Sequence, residues 1–442
     1  MRFLVFDSEG MATALAWRLR LEGNEVQFLS LKPEGKEHLL GMVELAPDIM
    51  SGVSWVGKDG YIICGDEMSV AALRSMGYKC YGNNPFMQKI ETDRNFQHQV
   101  AKDAGIKVPN AHHVKNVDEA IKFIQENPDQ WVLKQMGHAP KTWNFCGKED
   151  DGSDVIRQLE WMKDAEEYAK LKGDCPFMLQ EAVQGLEFAT SGWWMGNDWK
   201  RRDDGSILVE VNREHKKQLN DDAGLTTGEM GTVMRFPDNL KLFQQTLEKL
   251  TPILKKEAKD VVINIDANCG IIEETGDPYL FEFTPREGYP AQSLIIHLLE
   301  TETGKFFADL IDGKQGGVET KDAWGVVTVL GAGQYPQETT SDNHEGSFKD
   351  QPVEIPQHEK LFDGHLHPLY IRWDEEEKLF RVADYYEYVI ASTHCEDDIE
   401  DANEQCVDDM REIVVRAPQY RTDIGEKFQN EELPKLEDLG FI

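Results

Sequence analysis

The chain opens with MRFLVFD, an apolar run of strand length, and continues through MATALAWRLRLEG, whose apolar positions recur at helical spacing until Gly23 closes the segment. NEVQFLSL reads as a second strand, YIICGDE as another, and MSVAALRSMG as the helix after it. Strands alternating with helices predict a doubly wound α/β unit, in which ligands sit beyond the carboxyl ends of the strands. Asp7 to Gly10 and Gly65 to Glu67 occupy those ends. The turn DSEG lacks the spaced glycines of a dinucleotide fingerprint.

Further along, ETDRNFQHQVAKDAG predicts a helix of about four turns, capped by Thr92 and stopped by Gly105. NVDEAIKFIQENP predicts another, with Asn116 or Asp118 as its cap. WVLKQ is a short strand that sets Lys134 among apolar neighbours, and the irregular GHAPKTWN follows it. PFMLQEAVQGLEFATSGWW reads as strand, link and strand, and ILVEVNREHKK continues the sheet. DNLKLFQQTLEKLTPILKKEA is an amphipathic helix. VVINIDANCGIIEETGDPYLFEFTPR is a hairpin turning at TGDP. Asp266, Asn268 and Glu282 lie inside its apolar runs, where a carboxylate needs a partner and a cation is the commonest one. Asp266 and Asn268 are two apart in a strand and so point the same way. From about residue 322, the strands WGVVTVLG, LYIRW and YYEYVIAST surround one helix, DDIEDANEQCVDDMREIVVRA, as in a small α+β domain.

Composition narrows the ligand classes. A net charge of −34, from 81 acidic against 47 basic residues, opposes any docking to nucleic acid or anionic membrane. Seven scattered cysteines without CxxC pairs read as reduced thiols, not as a zinc site. The N-terminus has no basic and apolar leader, and no run reaches the roughly 20 apolar residues of a membrane helix. The expectation is a soluble cytoplasmic protein. Against this acidic background, NREHKKQLNDDAGLTTGEMG places a His-Lys-Lys cluster before a loop of Asp, Gly and Thr. Lysine ammoniums and backbone N–H groups together suit a small anionic ligand, the alternative being a solvated hairpin tip. His365 and His367 in GHLHP would suit a metal but lack a third ligand, so they read as structural.

The order of these motifs resembles the ATP-grasp superfamily, and within it the phosphoribosylamine–glycine ligases, or glycinamide ribonucleotide synthetases. The family's QDHKR…GPNTGGMG is similar to REHKKQLNDDAGLTTGEMG, which keeps His215, Lys216, Gly224, Thr227, Gly228, Met230 and Gly231. Its EFNxRxGxPE is similar to EFTPREGYPAQ, which keeps Glu282, Phe283, Arg286, Gly288 and Pro290. Its closing YRxDIG matches Tyr420, Arg421, Asp423, Ile424 and Gly425. The likeness runs the length of the chain.

The resemblance implies an α/β ATP-grasp fold with an N-terminal Rossmann-like domain over 1–107, an ATP-grasp domain over 108–321 with its lid at about 128–190, and an α+β domain over 322–442. It implies a ligase that activates a carboxylate as an acyl phosphate for displacement by an amine, using ATP and Mg2+, with small-molecule substrates and a monomeric or homodimeric state. Lys134 and Lys141 would contact the nucleotide phosphates. Gln180, Glu181 and Val183 would form the hinge beside adenine, and Glu187 would bind the ribose. Glu282 would ligate Mg2+, with Asp266 or Asn268 and the weaker Thr284. Arg286 would stabilise developing negative charge. His215 and Lys216 would face the acceptor substrates, together with Gly224, Thr226, Thr227, Gly228, Gly288 and Pro290.

Departures from the family bear on the substrate. DSEGMATALAW lacks the arginine and histidine with which the family holds phosphoribosylamine. GHAPKTWNF replaces the glycine-rich ATP loop, Thr284 replaces the metal-binding asparagine, Tyr289 and Ala291 replace two acids, and VADYYEYVIAST replaces TxGGR. These changes point to a carboxylate–amine ligase with a divergent acceptor, the alternatives being the purine-pathway ligase itself or a nucleotide-binding pseudoenzyme.

Overall fold

A computed structural model describes residues 1–8, 11–135, 144–163, 177–333, 348–385 and 388–442. Lys141 and the segment around it lie outside the described residues, as do Glu9 and Gly10. The chain divides into two compact units, Met1–Glu91 with Phe188–Ala267 and Phe283–Ile442, and Thr92–Glu187 with Asn268–Glu282. Expected boundaries at 107/108 and 321/322 do not coincide with this division.

In the first unit, β1 (Arg2–Asp7), β2 (Glu25–Ser30), β3 (Glu44–Leu45), β4 (Tyr61–Cys64) and β5 (Lys79–Tyr81) form a parallel sheet in the order β3-β2-β1-β4-β5. Phe3, Leu4, Val5 and Phe6 are buried on both faces of β1, which is why that strand reads as a continuous apolar run. The helix expected over 68–77 contracts to Ala71–Ser75. Its first amides are taken by other groups: Met68 N–H donates to the Asp66 carboxylate at 2.9 Å and Val70 N–H to the Asn83 carbonyl at 2.9 Å.

The second unit carries an antiparallel sheet of β6 (Ala111–His113), β7 (Trp131–Gln135), β8 (Phe145–Cys146) and β9 (Phe177–Glu181), ordered β6-β9-β7-β8. Its helices Val117–Glu126 and Ser153–Lys163 bury Ala120, Ile124, Val155 and Leu159 against Trp131, Leu133 and Leu179. Asn116 caps the first of these by accepting the Glu119 amide. The helix Arg94–Asp103 is capped by Asp93, whose carboxylate accepts the Phe96 amide at 3.0 Å, and not by Thr92. Thr92 is instead the last residue of a separate helix, Pro85–Thr92.

The long strands β10 (Leu186–Met195), β11 (Val209–Leu219), β12 (Ala223–Arg235), β13 (Val262–Ile272), β14 (Asp277–Thr284) and β15 (Trp324–Ala332) build a large sheet. The C-terminal region adds β16 (Pro352–Val353), β17 (Leu366–Pro368), β18 (Ile371–Asp374), β19 (Leu379–Val382) and β20 (Tyr388–Glu396). The large sheet is ordered β14-β13-β10-β11-β12-β15-β20-β17, and the chain passes from one unit to the other within β10, β13 and β14. Because β12 pairs with β15, and β15 with β20, the C-terminal region shares its main sheet with the core of the first unit.

Three expectations are corrected here. The helix expected over 238–258 breaks at Thr246 into Lys241–Gln245 and Leu247–Glu257, and the Thr246 hydroxyl bonds the Leu242 carbonyl at 2.6 Å. The hairpin β13-β14 turns over 273–276, and the chain is already back in β14 at Asp277. The expected loop after His215-Lys216-Lys217 is strand, since β11 and β12 pair antiparallel with only Asn220–Asp222 turning between them. Gly231 fits the crowding there, because a Cβ at that position would lie 2.5 Å from the Val327 carbonyl oxygen. No helix among the described residues is long and apolar enough to cross a membrane.

Candidate active site

In the second unit, β7 sets Lys134 beside the buried Leu133, and its ammonium lies 5.5 Å from the centre of the Phe281 ring. The Arg94 guanidinium bonds the Phe281 carbonyl at 3.3 Å and the Glu282 carboxylate at 3.2 Å. One turn further along that helix lies His98, buried. Burial, followed by the positive charges of Arg94, Lys134 and Lys102, holds its imidazole down to about 4. His98 therefore stays neutral, with Arg94, Lys134 and Lys102 adding to the larger effect of burial. Gln180 is buried on β9, Glu181 accepts the Asn110 side-chain amide at 2.8 Å, and Val183 follows β9 in the link to β10. At the start of β10, Glu187 accepts the Asn268 side-chain amide at 3.2 Å.

The same unit supplies oxygen donors that fit magnesium. The Glu282 carboxylate and the Asn268 amide oxygen are hard ligands, and one or two carboxylates suffice where phosphates complete the shell. At Glu282 a cation, Arg94, already faces the carboxylate. Groups of three or more His, Cys, Asp or Glu able to hold a metal by themselves are absent among the described residues. Asp266 is engaged otherwise than expected: it is buried in the first unit and accepts the Asn212 amide at 3.0 Å beside Glu210. Thr284 presents its carbonyl to the Arg286 amide at 2.9 Å.

In the first unit, Arg286 follows β14, and its guanidinium bonds the Glu91 carboxylate at 2.9 Å. Burial opposes its charge, but Glu91, then Glu67 and Asp66, more than offset this. Gly288 and Pro290 open the helix Ala291–Leu298 and accept the Gln292 and Ser293 amides through their carbonyls. At the carboxyl ends of β1 and β4, Asp7 accepts the Ala12 amide at 2.7 Å and Asp66 accepts the Ser8 amide. Among the described residues, the Ser8 and Ala12 amides there are thus bound by the chain's own carboxylates.

The β11–β12 hairpin separates its residues by face. On one face, Lys216 pairs with Glu214 at 2.7 Å. On the other, His215 Nε2 accepts the Gly425 amide at 3.2 Å, and burial, then Arg213 and Arg421, hold the ring down to about 3. Burial thus keeps the His215 ring neutral at neutral pH, with Nε2 engaged by the Gly425 amide. Arg421 bonds Asp222 at 2.7 Å, Asp423 at 2.7 and 2.8 Å and the Lys217 carbonyl at 3.2 Å, while Asp221 N–H donates to Asp423. The closing motif YRTDIG therefore clamps the hairpin. Thr226 is exposed and accepts from Lys217 at 3.0 Å, Thr227 donates to the Lys216 carbonyl, and Gly224 has a φ of +79° at the exposed tip, followed along β12 by the exposed Gly228.

His365 and His367 bond Thr393, through its carbonyl at 3.2 Å and its hydroxyl at 2.8 Å, and His297 bonds the same hydroxyl at 2.9 Å. One ring nitrogen of each histidine is thus engaged by the chain. Sequence reasoning passed over Arg94, His98, Glu91, Glu210 and Asn212. Arg94 and His98 carry an i,i+4 signal, but nothing local shows which strand lies opposite.

Residues 92–291 match the family described as phosphoribosylglycinamide synthetase, ATP-grasp (A) domain. The chain is similar to the phosphoribosylamine–glycine ligase of Helicobacter pylori, 25% identical over 281 residues that cover 60% of this chain and 59% of that enzyme. It thus spans a little over half the length of that relative. It is also similar to the phosphoribosylamine–glycine ligase of Streptococcus pneumoniae, 22% identical over 97% of this chain and 99% of the other. Among solved structures, the phosphoribosylamine–glycine ligase of Thermotoga maritima superposes with a TM-score of 0.73 at 17% identity, covering 96% of this chain and all of that one. N5-carboxyaminoimidazole ribonucleotide synthetase from Thermotoga maritima gives 0.56 at 15% identity, covering 94% and 99%. The fold is the ATP-grasp fold.

Proposed function

From an ATP-grasp domain of the phosphoribosylglycinamide synthetase kind at residues 92–291, we propose that this chain is a cytoplasmic ATP-dependent carboxylate–amine ligase whose amine substrate is not phosphoribosylamine. Magnesium-bound ATP supplies the phosphoryl group that turns the acid into an acyl phosphate. Lys134, with Lys141, would hold the phosphates. Gln180, Glu181 and Val183 would border the adenine, and Glu187 the ribose. Glu282 and Asn268 would hold Mg2+, with Arg94 giving way to it. Arg286, fixed by Glu91, would face the negative charge that develops as the amine adds to the acyl carbon. Lys216 would orient the acceptor.

The observation that carries the finer reading is the capture of the Ser8 and Ala12 amides by Asp66 and Asp7. Carboxylates at these strand ends repel a phosphate and take two of the donors it could use. The similarity to phosphoribosylamine–glycine ligases over 97% of the chain supports the alternative, that ligase itself. ADP release with Mg-ATP, glycine and a panel of amines decides. Turnover with unphosphorylated amines and none with phosphoribosylamine is expected. Efficient turnover with phosphoribosylamine overturns the acceptor reading, and ATP binding without turnover on any pair marks a pseudoenzyme.

A further inference from the structure

One face of the large sheet in the first unit carries polar groups where a sheet core is ordinarily apolar. Ser191, Glu210, Asn212, Glu229, Asn264 and Asp266 are all buried. Asn212, only 4% exposed, lies between two carboxylates: its Nδ2 donates to Glu210 at 3.1 and 3.3 Å and to Asp266 Oδ1 at 3.0 Å. Its Oδ1 is buried and has no hydrogen-bond partner among the described residues. The nearest lysine on this face, Lys216, is paired with Glu214. Burial pushes Glu210 and Asp266 above the ordinary carboxylate range, and Asp266 is pushed further by Glu210 and Glu214. No cation among the described residues is bonded to Glu210 or Asp266, which feels Lys216 only from a distance, and an amide oxygen beside them is short of a donor. Along β11 the row becomes more accessible, with side-chain exposure of 17% at Glu214 and 34% at Lys216.

A primary ammonium answers both deficits. It brings one positive charge and three N–H donors, for two carboxylates and one amide oxygen. A metal fits less well, since no group of three or more His, Cys, Asp or Glu among the described residues is placed to hold one. We propose that Glu210, Asn212 and Asp266 form a recognition site for a primary ammonium group, which, on the ligase reading above, belongs to the amine substrate. These residues are then specificity determinants that select an amine bearing N–H donors.

The test needs no ATP. Ethanolamine and choline, which differ in carrying NH3+ or a trimethylammonium, are titrated into the full-length protein by saturation-transfer NMR and calorimetry. Ethanolamine is expected to bind about tenfold or more tightly than choline, and Asp266→Asn and Glu210→Gln are each expected to weaken it by about tenfold or more. No ethanolamine binding, equal binding of choline, or variants that leave binding unchanged would overturn the proposal. So would Mg2+ competing with ethanolamine in an Asp266-dependent manner. If a variant fails to fold, the two ligands on the unaltered chain still decide. Should ethanolamine bind selectively while no acid and amine pair releases ADP, the ligase reading fails and the ammonium site stands.

Discussion

Lys134 and Glu282 show how single side chains carry the proposed chemistry. Lys134 leaves an apolar strand over the Phe281 ring, so its charge is partly desolvated and strengthened toward phosphate. Lys134→Ala is expected to weaken Mg-ATP binding by about tenfold or more, read by calorimetry, with an unchanged circular dichroism spectrum. Glu282→Ala is expected to lower kcat for ADP release by about a hundredfold or more while leaving the fold intact; unchanged turnover would remove Glu282 from the metal site. Glu282 was singled out by the EFTPREG motif and Lys134 by its place in the order of motifs. Their partners were not. Arg94 reaches Glu282 across 188 positions of sequence and Glu91 reaches Arg286 across 195, and no local pattern encodes such pairings. His215 shows the converse, a residue in a recognisable motif whose role only its neighbour Gly425 reveals.

At the scale of elements, the hairpin β11–β12 and the segment 420–425 form one device. The Arg421 guanidinium is almost fully buried and satisfies Asp222, Asp423 and a backbone carbonyl together. Removing it leaves carboxylates without their cation, so Arg421→Ala is expected to cost about 3 kcal/mol, measured by urea unfolding. Helix ends behave more simply. Asp93→Ala should cost about 1 kcal/mol through loss of the Phe96 N–H bond, and Thr92→Ala less than half of that; equal losses would restore Thr92 as the cap. Strands β1, β2 and β4 and the helix after Asn116 were readable from period and composition. The break at Thr246 and the bulged strand from Gly224 to Gly231 were not, because sheet neighbours and a side-chain bond to the backbone outweighed local preference.

At the scale of the whole molecule, acid and base act on different buried groups. His215 and His367 are held down to about 3 and His98 to about 4, in each case first by burial. An unfolded histidine takes its proton near pH 6.5, so stability should fall as pH drops below that value toward 3, by about 1.4 kcal/mol per pH unit for each such residue. Glu210 has the opposite sign: raised from 4.5 to about 7, it makes stability fall as pH rises through that window. Glu210→Gln should therefore raise the urea midpoint at pH 8 and change it little at pH 4. The sequence by itself determined the α/β class, the net charge of −34 and the positions of Lys134, Glu282 and Arg286 along the chain, because period, charge and spacing are properties of the chain. Only the tertiary structure decided that Asp7 and Asp66 accept the Ala12 and Ser8 amides and that YRTDIG clamps the hairpin. It alone brought Glu210, Asn212 and Asp266 together. Each of these depends on which strands and turns become neighbours, and that is set by burying the apolar faces of the whole sheet, not by any local run of residues.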